Sequence, residues 1–543
     1  MGPLKAIVSA TALAPFLLSG AVHAARLPSG QGDAQSCTAL AGKTIAPDTV
    51  IQSADYLSGG GTIGATKVAI SLCRVVGVVT PTSDSHIGFE VWLPPVSQWN
   101  GKFQGEGSGG SAGAISTGAM LEALKAGYAS MSTDNGHITD TTQKNGGSEQ
   151  TWALGHPQKM LDFAFRAMRL STIAGKAVTR GFYGRKPGQA YFVGCSQGGH
   201  HALMEASRYP ADYDGIVAGA PAWHWASQMV NATWNSMASL KDPSALTVES
   251  TVILHKAVIA ACDRLDGLED GIISDPRRCH FEPASLLCKP GSAADTCLTQ
   301  AQIDAANRIY QGAHKSDGTA LFQGFARGSE LKWPRMWASK TPGGSSWDFW
   351  RYSVFQDPQF RNIDFDFDRD ADRGLSTVRA GMRVADIYNV KPDLTAFRAR
   401  GGKLIIYHGW ADEQVTPFAS LDFYSHMAAQ QDQAGTNAFL RMFMLPGISH
   451  CSGGPGAGNI GGATPALSHD PEHDVVAALD AWVVQHRAPA QLIAAHLDEN
   501  KKVDRTRPLC SFPQEARYKG AGDSNDAGNF ICAVPPDYRA IAN

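Results

Sequence analysis

The stretch Tyr191-Phe192-Val193-Gly194-Cys195-Ser196-Gln197-Gly198-Gly199 constrains this chain more than any other. A short apolar run ends in Gly-x-Ser-x-Gly, and a small-residue, helix-compatible segment, His200 to Ala206, follows. That order predicts a tight strand-to-helix turn with Ser196 at its apex. Bulky side chains at Gly194 or Gly198 would collide with the neighbouring strand and helix at such a turn. A helix starting there aims backbone N–H groups at the serine, so an anion developing beside it is stabilised. Taken alone, the motif also fits a glycine-rich loop with an incidental serine. The flanking strand and helix favour the turn.

The surrounding pattern alternates. Strands are expected at Lys67–Thr80, Ile87–Leu93, Tyr128–Asp134, Asp214–Pro221, Lys403–His408 and Phe439–Leu445. Helices are expected at Gln158–Val178, Phe418–Gln431 and Glu472–His486. Such alternation argues for a parallel sheet. The rhythm breaks between about Trp223 and Arg398, where Trp, Asp, Pro and Gly are frequent and strand signals are weak. We therefore expect an α/β-hydrolase fold over 26–222 and 399–543, with a large inserted lid domain over 223–398. Residues 26–66 read as a Gly/Ser-rich segment anchored at Cys37, and the tail from Val503 as polar. A chain of 543 residues, 43% hydrophobic, has ample material for such a core. Its net charge of −3 gives no argument for a nucleic-acid partner or an anionic membrane surface.

Residues 1–25 read as a signal peptide: Lys5, an apolar run from Ala6 to Val22, then Val22-His23-Ala24 before a cleavage site. The run is short and holds Pro15, which argues against a membrane anchor. The mature chain is expected in the periplasm or outside the cell. Export gives meaning to ten cysteines, an even count without a Cys-x-x-Cys pair. Sequence spacing suggests local bridges Cys37–Cys73, Cys262–Cys279, Cys288–Cys297 and Cys510–Cys532, leaving Cys195 and Cys451.

A serine on this turn needs an acid and a histidine later in the chain, each after a late strand. Asp412 follows the strand ending at His408, and His450 follows the strand ending at Leu445. His450 would take the Ser196 proton and Asp412 would orient the imidazole. Glu413 is the alternative acid; His408, His200 and His201 are weaker bases because they lie within or beside core elements. Cys195 and Cys451 directly adjoin Ser196 and His450. If Ser196 and His450 meet, those cysteines fall within disulfide range. The other reading of Cys195, a thiol nucleophile, is disfavoured by export and by the neighbouring serine.

The arrangement Cys195-Ser196…Asp412…His450-Cys451 resembles the tannase and feruloyl esterase family, which also contains mono(hydroxyethyl) terephthalate hydrolase. The resemblance covers essentially the whole mature chain. It implies a serine carboxylic ester hydrolase acting on feruloyl, hydroxycinnamoyl or galloyl esters, with terephthalate or phthalate monoesters as the runner-up. It implies a small-molecule aromatic ester as partner and leaves the oligomeric state open. One oxyanion donor would be the backbone N–H of Gln197. The other would come from the glycine loop Gly105-Glu106-Gly107-Ser108-Gly109-Gly110, at Gly109 or Gly110; a family member would carry Asn where this chain has Ser108. A reading of another class is a non-catalytic binding protein for phenolics on the same scaffold.

Two lid segments stand out. Cys262-Asp263-Arg264-Leu265-Asp266-Gly267-Leu268-Glu269-Asp270-Gly271-Ile272 spaces three aspartates by three and four residues, with two turn-forming glycines. By spacing it is either an acidic surface turn or a loop able to wrap a hard cation. The resemblance implies a structural Ca²⁺ site, with side chains from Asp263, Asp266 and Asp270 and carbonyls from Leu268 and Ile272. The second segment holds Trp347, Phe349, Trp350, Arg351 and Phe355. Trp347 and Trp350 could stack on an aromatic acyl group and Arg351 could pair with a carboxylate, or all could form the lid's own core.

Overall fold

A computed structural model describes residues 33–536, apart from 140–148, 292, 294, 339–344 and 465. The leader expected over 1–25 lies outside the described residues. Ten strands form one sheet: β1 Thr44–Ala46, β2 Thr49–Leu57, β3 Leu72–Val79, β4 Ile87–Leu93, β5 Phe103–Glu106, β6 Ala129–Thr133, β7 Ala190–Cys195, β8 Gly215–Gly219, β9 Lys403–Gly409 and β10 Leu440–Leu445. Their order across the sheet is β1-β2-β3-β4-β6-β5-β7-β8-β9-β10. Pairing is antiparallel from β1 to β6 and parallel from β6 to β10. The sheet is thus a mixed α/β-hydrolase sheet whose parallel half carries the serine turn.

The parallel strands are apolar on both faces, and their side chains sort with period two. Phe192, Ile216, Ala218, Leu404, Ile406, Leu440 and Met442 pack with helices α1 (Ala167–Tyr183), α2 (Gln197–Arg208) and α3 (Pro417–Asn437, broken at Asp432). Tyr191, Val193, Val217, Ile405, Tyr407 and Phe443 face the other way, onto helix α4 (Val475–Gln485). Burial on both sides explains why these strands read as continuous apolar runs rather than alternating ones.

No strand between Gly219 and Lys403 joins this sheet among the described residues. That segment is largely helical, with helices Trp225–Lys241, Val248–Cys262 and Gln300–Gln311. One apolar cluster, containing Leu254, Val258, Ile273, Ile309 and Trp333, lies wholly inside it. A second joins lid residues Trp225, Phe349, Trp350 and Tyr388 to Met160, Phe163 and Val415 of the sheet domain. The inserted segment therefore shares part of its core with the sheet domain.

Three expectations needed correction. The segment 26–66 contains the nine-residue strand β2, whose burial alternates. The helix expected over Gln158–Val178 runs to Tyr183 and contains a π turn at Asp162–Arg166. The polar tail is folded: its strand Val503–Cys510 pairs antiparallel with the preceding Gln491–Leu497, and Glu515–Tyr518 pairs antiparallel with Phe530–Ala533. All five expected disulfides are present, and no cysteine is free among the described residues. No described helix is long and apolar enough to cross a membrane.

Candidate active site

Ser196 joins β7 to α2 with φ 63° and ψ −121°, a conformation that L residues rarely adopt. Close glycine contacts make it possible. A Cβ on Gly194 would lie 2.5 Å from the carbonyl of Gly198, and one on Gly107 would lie 2.5 Å from the Gly198 Cα. The turn is also tied to the sheet, since the Ser196 N–H donates to the Gly219 carbonyl at 3.0 Å. Gln197 is the first residue of α2, so its N–H has no acceptor within the helix.

The glycine loop follows β5 and comes against this turn. The Gly107 N–H donates to the Val193 carbonyl at 2.9 Å, and Ser108 is held by the Asn135 amide, which donates to its Oγ at 2.6 Å. Gly109 and Gly110 follow at an exposed bend with open space beside Gly109. Just upstream, Glu106 is only 2% exposed and accepts from the Gln104 amide at 2.7 Å. Burial pushes its carboxyl up to about 8.

Asp412 and His450 meet from the loops after β9 and β10. His450 Nδ1 lies 2.8 Å from Asp412 Oδ2. The same oxygen lies 3.1 Å from Nε2 of the fully buried His408, whose Nδ1 is 2.7 Å from Ser420 Oγ. Asp412 Oδ1 accepts from the backbone N–H groups of Gln414 and Val415 at 2.8 and 2.9 Å. Burial raises the Asp412 pKa, but the His450 charge and the hydrogen bonds from both histidines outweigh it and hold the carboxyl well below its usual range. Burial likewise disfavours charge on His450, yet the Asp412 charge and hydrogen bond raise its pKa overall. Glu413, the alternative acid, instead accepts the His450 backbone N–H on Oε2 at 3.3 Å. Its Oε1 lies 3.9 Å from Lys332 Nζ of the lid.

The Cys195–Cys451 disulfide brings the two halves together, with Cα atoms 6.0 Å apart across 256 residues of sequence. Cys451 also has a positive φ, 61°. A strained serine at a helix N-terminus is thus joined, through the disulfide beside it, to the loop of an imidazole whose Nδ1 is held by a buried carboxylate; these are the groups that nucleophilic attack on a carbonyl uses.

The lid residues fall elsewhere. Trp350 is wholly buried and donates its indole N–H to Thr233 Oγ1 at 2.8 Å. Arg351 donates to the Phe360 carbonyl at 2.7 Å, and Trp347 is 7% exposed. Trp350 and Arg351 thus belong to the lid's own packing. By sequence, His408 reads only as a weaker base; its contact with Asp412 is signalled by the spacing of four between them.

On the acidic loop, Asp263 accepts from the N–H groups of Gly271 at 3.0 Å and Ile272 at 3.2 Å. Asp266 accepts from Leu268 N–H at 2.9 Å and from the Ser274 hydroxyl. Asp270 Oδ2 accepts from Arg507 at 2.8 Å, while its Oδ1 is buried without a partner. Burial and the charges of Asp270 and Asp263 raise the Asp266 pKa, although its hydrogen bonds oppose this. No closed group of three or more metal-ligating side chains forms among the described residues. An orphaned carboxylate oxygen beside two further carboxylates is nevertheless the donor chemistry a hard cation takes.

The family model for tannase and feruloyl esterase matches residues 73–533. An uncharacterized esterase of Xanthomonas campestris pv. campestris is 35% identical over 536 residues, covering 92% of both chains. A chain of Aspergillus terreus named "Probable feruloyl esterase B-2" is 30% identical over 541 residues, 96% of this chain and 99% of that one. A mono(2-hydroxyethyl) terephthalate hydrolase of Piscinibacter sakaiensis is 31% identical over 555 residues, 90% of this chain and 89% of that one. Among solved structures, feruloyl esterase B from Aspergillus oryzae matches with TM-score 0.84 and 28% identity, over 92% of this chain and all of that one.

Proposed function

The chain belongs to the tannase and feruloyl esterase family, and from that membership we propose that it is an exported serine esterase cleaving esters of aromatic carboxylic acids. It is a carboxylic ester hydrolase by family; the substrate class and the residue roles are the proposal. Ser196 Oγ attacks the ester carbonyl while His450 Nε2 takes its proton. The backbone N–H groups of Gln197 and of Gly109 or Gly110 hold the tetrahedral oxyanion. His450 then protonates the leaving alcohol, and the acyl group stays on Ser196. Water, deprotonated by the same imidazole, releases the acid. Asp412 remains ionised throughout, fixing the imidazole and offsetting its charge.

The single observation that carries the reading is the Cys195–Cys451 bridge, because it ties the residue before Ser196 to the residue after His450. Feruloyl, hydroxycinnamoyl and galloyl esters lead the substrate list through the family. Terephthalate monoesters are the second reading, favoured by the 31% identity to the Piscinibacter sakaiensis hydrolase. Export rests on the leader and the five disulfides. Calcium belongs to the same reading. Asp263, Asp266 and Asp270 would give carboxylate oxygens, and Leu268 and Ile272 carbonyls. When bound, the ion neutralises the clustered carboxylates and stiffens the loop.

The test is turnover of methyl ferulate, methyl gallate, chlorogenate and a terephthalate monoester by the full chain and by Ser196→Ala. We expect one aromatic ester to lead the panel and Ser196→Ala to lose at least ~10³-fold in kcat. Undiminished turnover by Ser196→Ala would overturn the serine mechanism. A parent chain inert toward all four esters would overturn the substrate class.

A further inference from the structure

A cavity of about 580 Å³ lies between the lid and the loops that carry Asp412 and His450. Its wall includes Ala411 and Ser449, each next to one of those residues, but neither Ser196 nor His450. Ile259, Ile273, Leu331 and Trp410 make it largely apolar. Its charged lining is of one sign: Lys256, Arg327 and Lys332 contribute to the wall, and no aspartate or glutamate does.

The three cations differ in how far they are already committed. Arg327 donates to the Phe281 carbonyl at 2.8 Å and stacks over Tyr310. Lys256 is exposed. Lys332 is held only loosely, 3.9 Å from Glu413, with its side chain 44% exposed. His255 is bonded to Glu330 at 2.7 Å, and Glu330 is fully buried and also takes the Tyr310 hydroxyl and the Gly328 N–H. Glu330 is thus spent, Arg327 also has Glu282 at 3.7 Å, and the ammonium groups of Lys256 and Lys332 are the less committed cations on the wall of a largely apolar chamber. Charge complementarity calls for a small anion with a flat apolar body.

We propose that this cavity is a second binding site, separate from Ser196, for a small aromatic carboxylate held by Lys256 and Lys332 against Ile259 and Trp410. An anion there competes with Glu413 for the Lys332 ammonium. Because Glu413 accepts the His450 backbone N–H, occupancy reaches the His450 loop in two contacts. This link rests on the esterase reading, whose acid product has the same chemistry; the binding site does not.

Calorimetric titration of the full chain with benzoate, and separately with benzyl alcohol, tests the site. We expect benzoate to bind with Kd below ~10 mM and benzyl alcohol at least tenfold more weakly. The Lys256→Ala/Lys332→Ala double variant should lose tenfold or more in benzoate affinity. Ala260→Trp, which fills the chamber from an exposed wall position, should do the same without removing a charge. Equal binding of benzyl alcohol, absence of benzoate binding, or unchanged benzoate affinity in a folded Ala260→Trp overturns the site. At saturating aryl ester, benzoate should lower kcat of the parent and not that of Ala260→Trp. A kcat indifferent to benzoate in the parent overturns the link while leaving the binding result to stand or fall separately.

Discussion

Cys195 and Cys451 are bonded across 256 residues of chain, and each is the immediate neighbour of a residue in the candidate site. No other bridge in the protein spans more than 36. It couples stability to alignment. Loop-closure entropy for so long a loop gives about 5 kcal/mol in the chain-entropy model. The double variant Cys195→Ser/Cys451→Ser should therefore melt at lower temperature and lose kcat more than it gains in KM. A normal melt with unchanged kcat would show the bridge to be incidental to both.

The pH profile should report the Asp412–His450 pair. His450 must be neutral to accept a proton, and its pKa lies above its ordinary value of 6.5. The acidic limb of kcat/KM should therefore fall above pH 6.5. Asp412→Asn removes the charge that raises it, so the limb should move down while kcat drops by ~10⁴. A limb that stays in place in Asp412→Asn would mean that another group controls it.

Glu106 should make the fold sensitive to alkali. Burial lifts its pKa from 4.5 to about 8, so the folded chain holds this proton more tightly than the unfolded chain. The resulting contribution declines as pH rises from 4.5 through 8. Glu106→Gln should thus melt above the parent at pH 8 to 9, with the difference vanishing near pH 4.5. A constant difference across that range would mean that shape, not charge, is responsible.

Calcium makes its own prediction. Chelation should lower the melting temperature, and Ca²⁺ but not Mg²⁺ should restore it. A site filled at 100 times its Kd contributes about 2.7 kcal/mol. Asp270→Asn should melt low and no longer respond to either treatment. Identical melting of parent chain with and without chelator would remove the metal from the account.

Much of the site was legible because its residues sit at element boundaries. Asp412 and His450 each follow an apolar strand, and the strand Ile87–Leu93 has the bounds its sequence predicts. Tertiary partners decided what was missed. β2 is an alternating strand embedded among glycines and serines, and its register comes from pairing with β1 and β3. The π turn at Asp162–Arg166 has no periodic signature; beside it, His201 Nε2 lies 3.0 Å from the Phe163 carbonyl, a contact made from another helix. Trp350 reads equally as a ligand platform or as core, because composition does not say which way an indole points, and its partner Thr233 lies 117 residues away.

The insertion of the lid between β8 and β9 has a consequence for how the chain is made. β8 pairs with β9 along its whole length, yet on the order of 180 residues separate them. At ~5–20 residues per second, roughly 10–40 s pass before the partner strand emerges. During that interval the apolar strand β8 is an unpaired sheet edge, open to other nascent chains. The length of the insertion therefore sets how long the β9-facing edge of β8 waits for its partner.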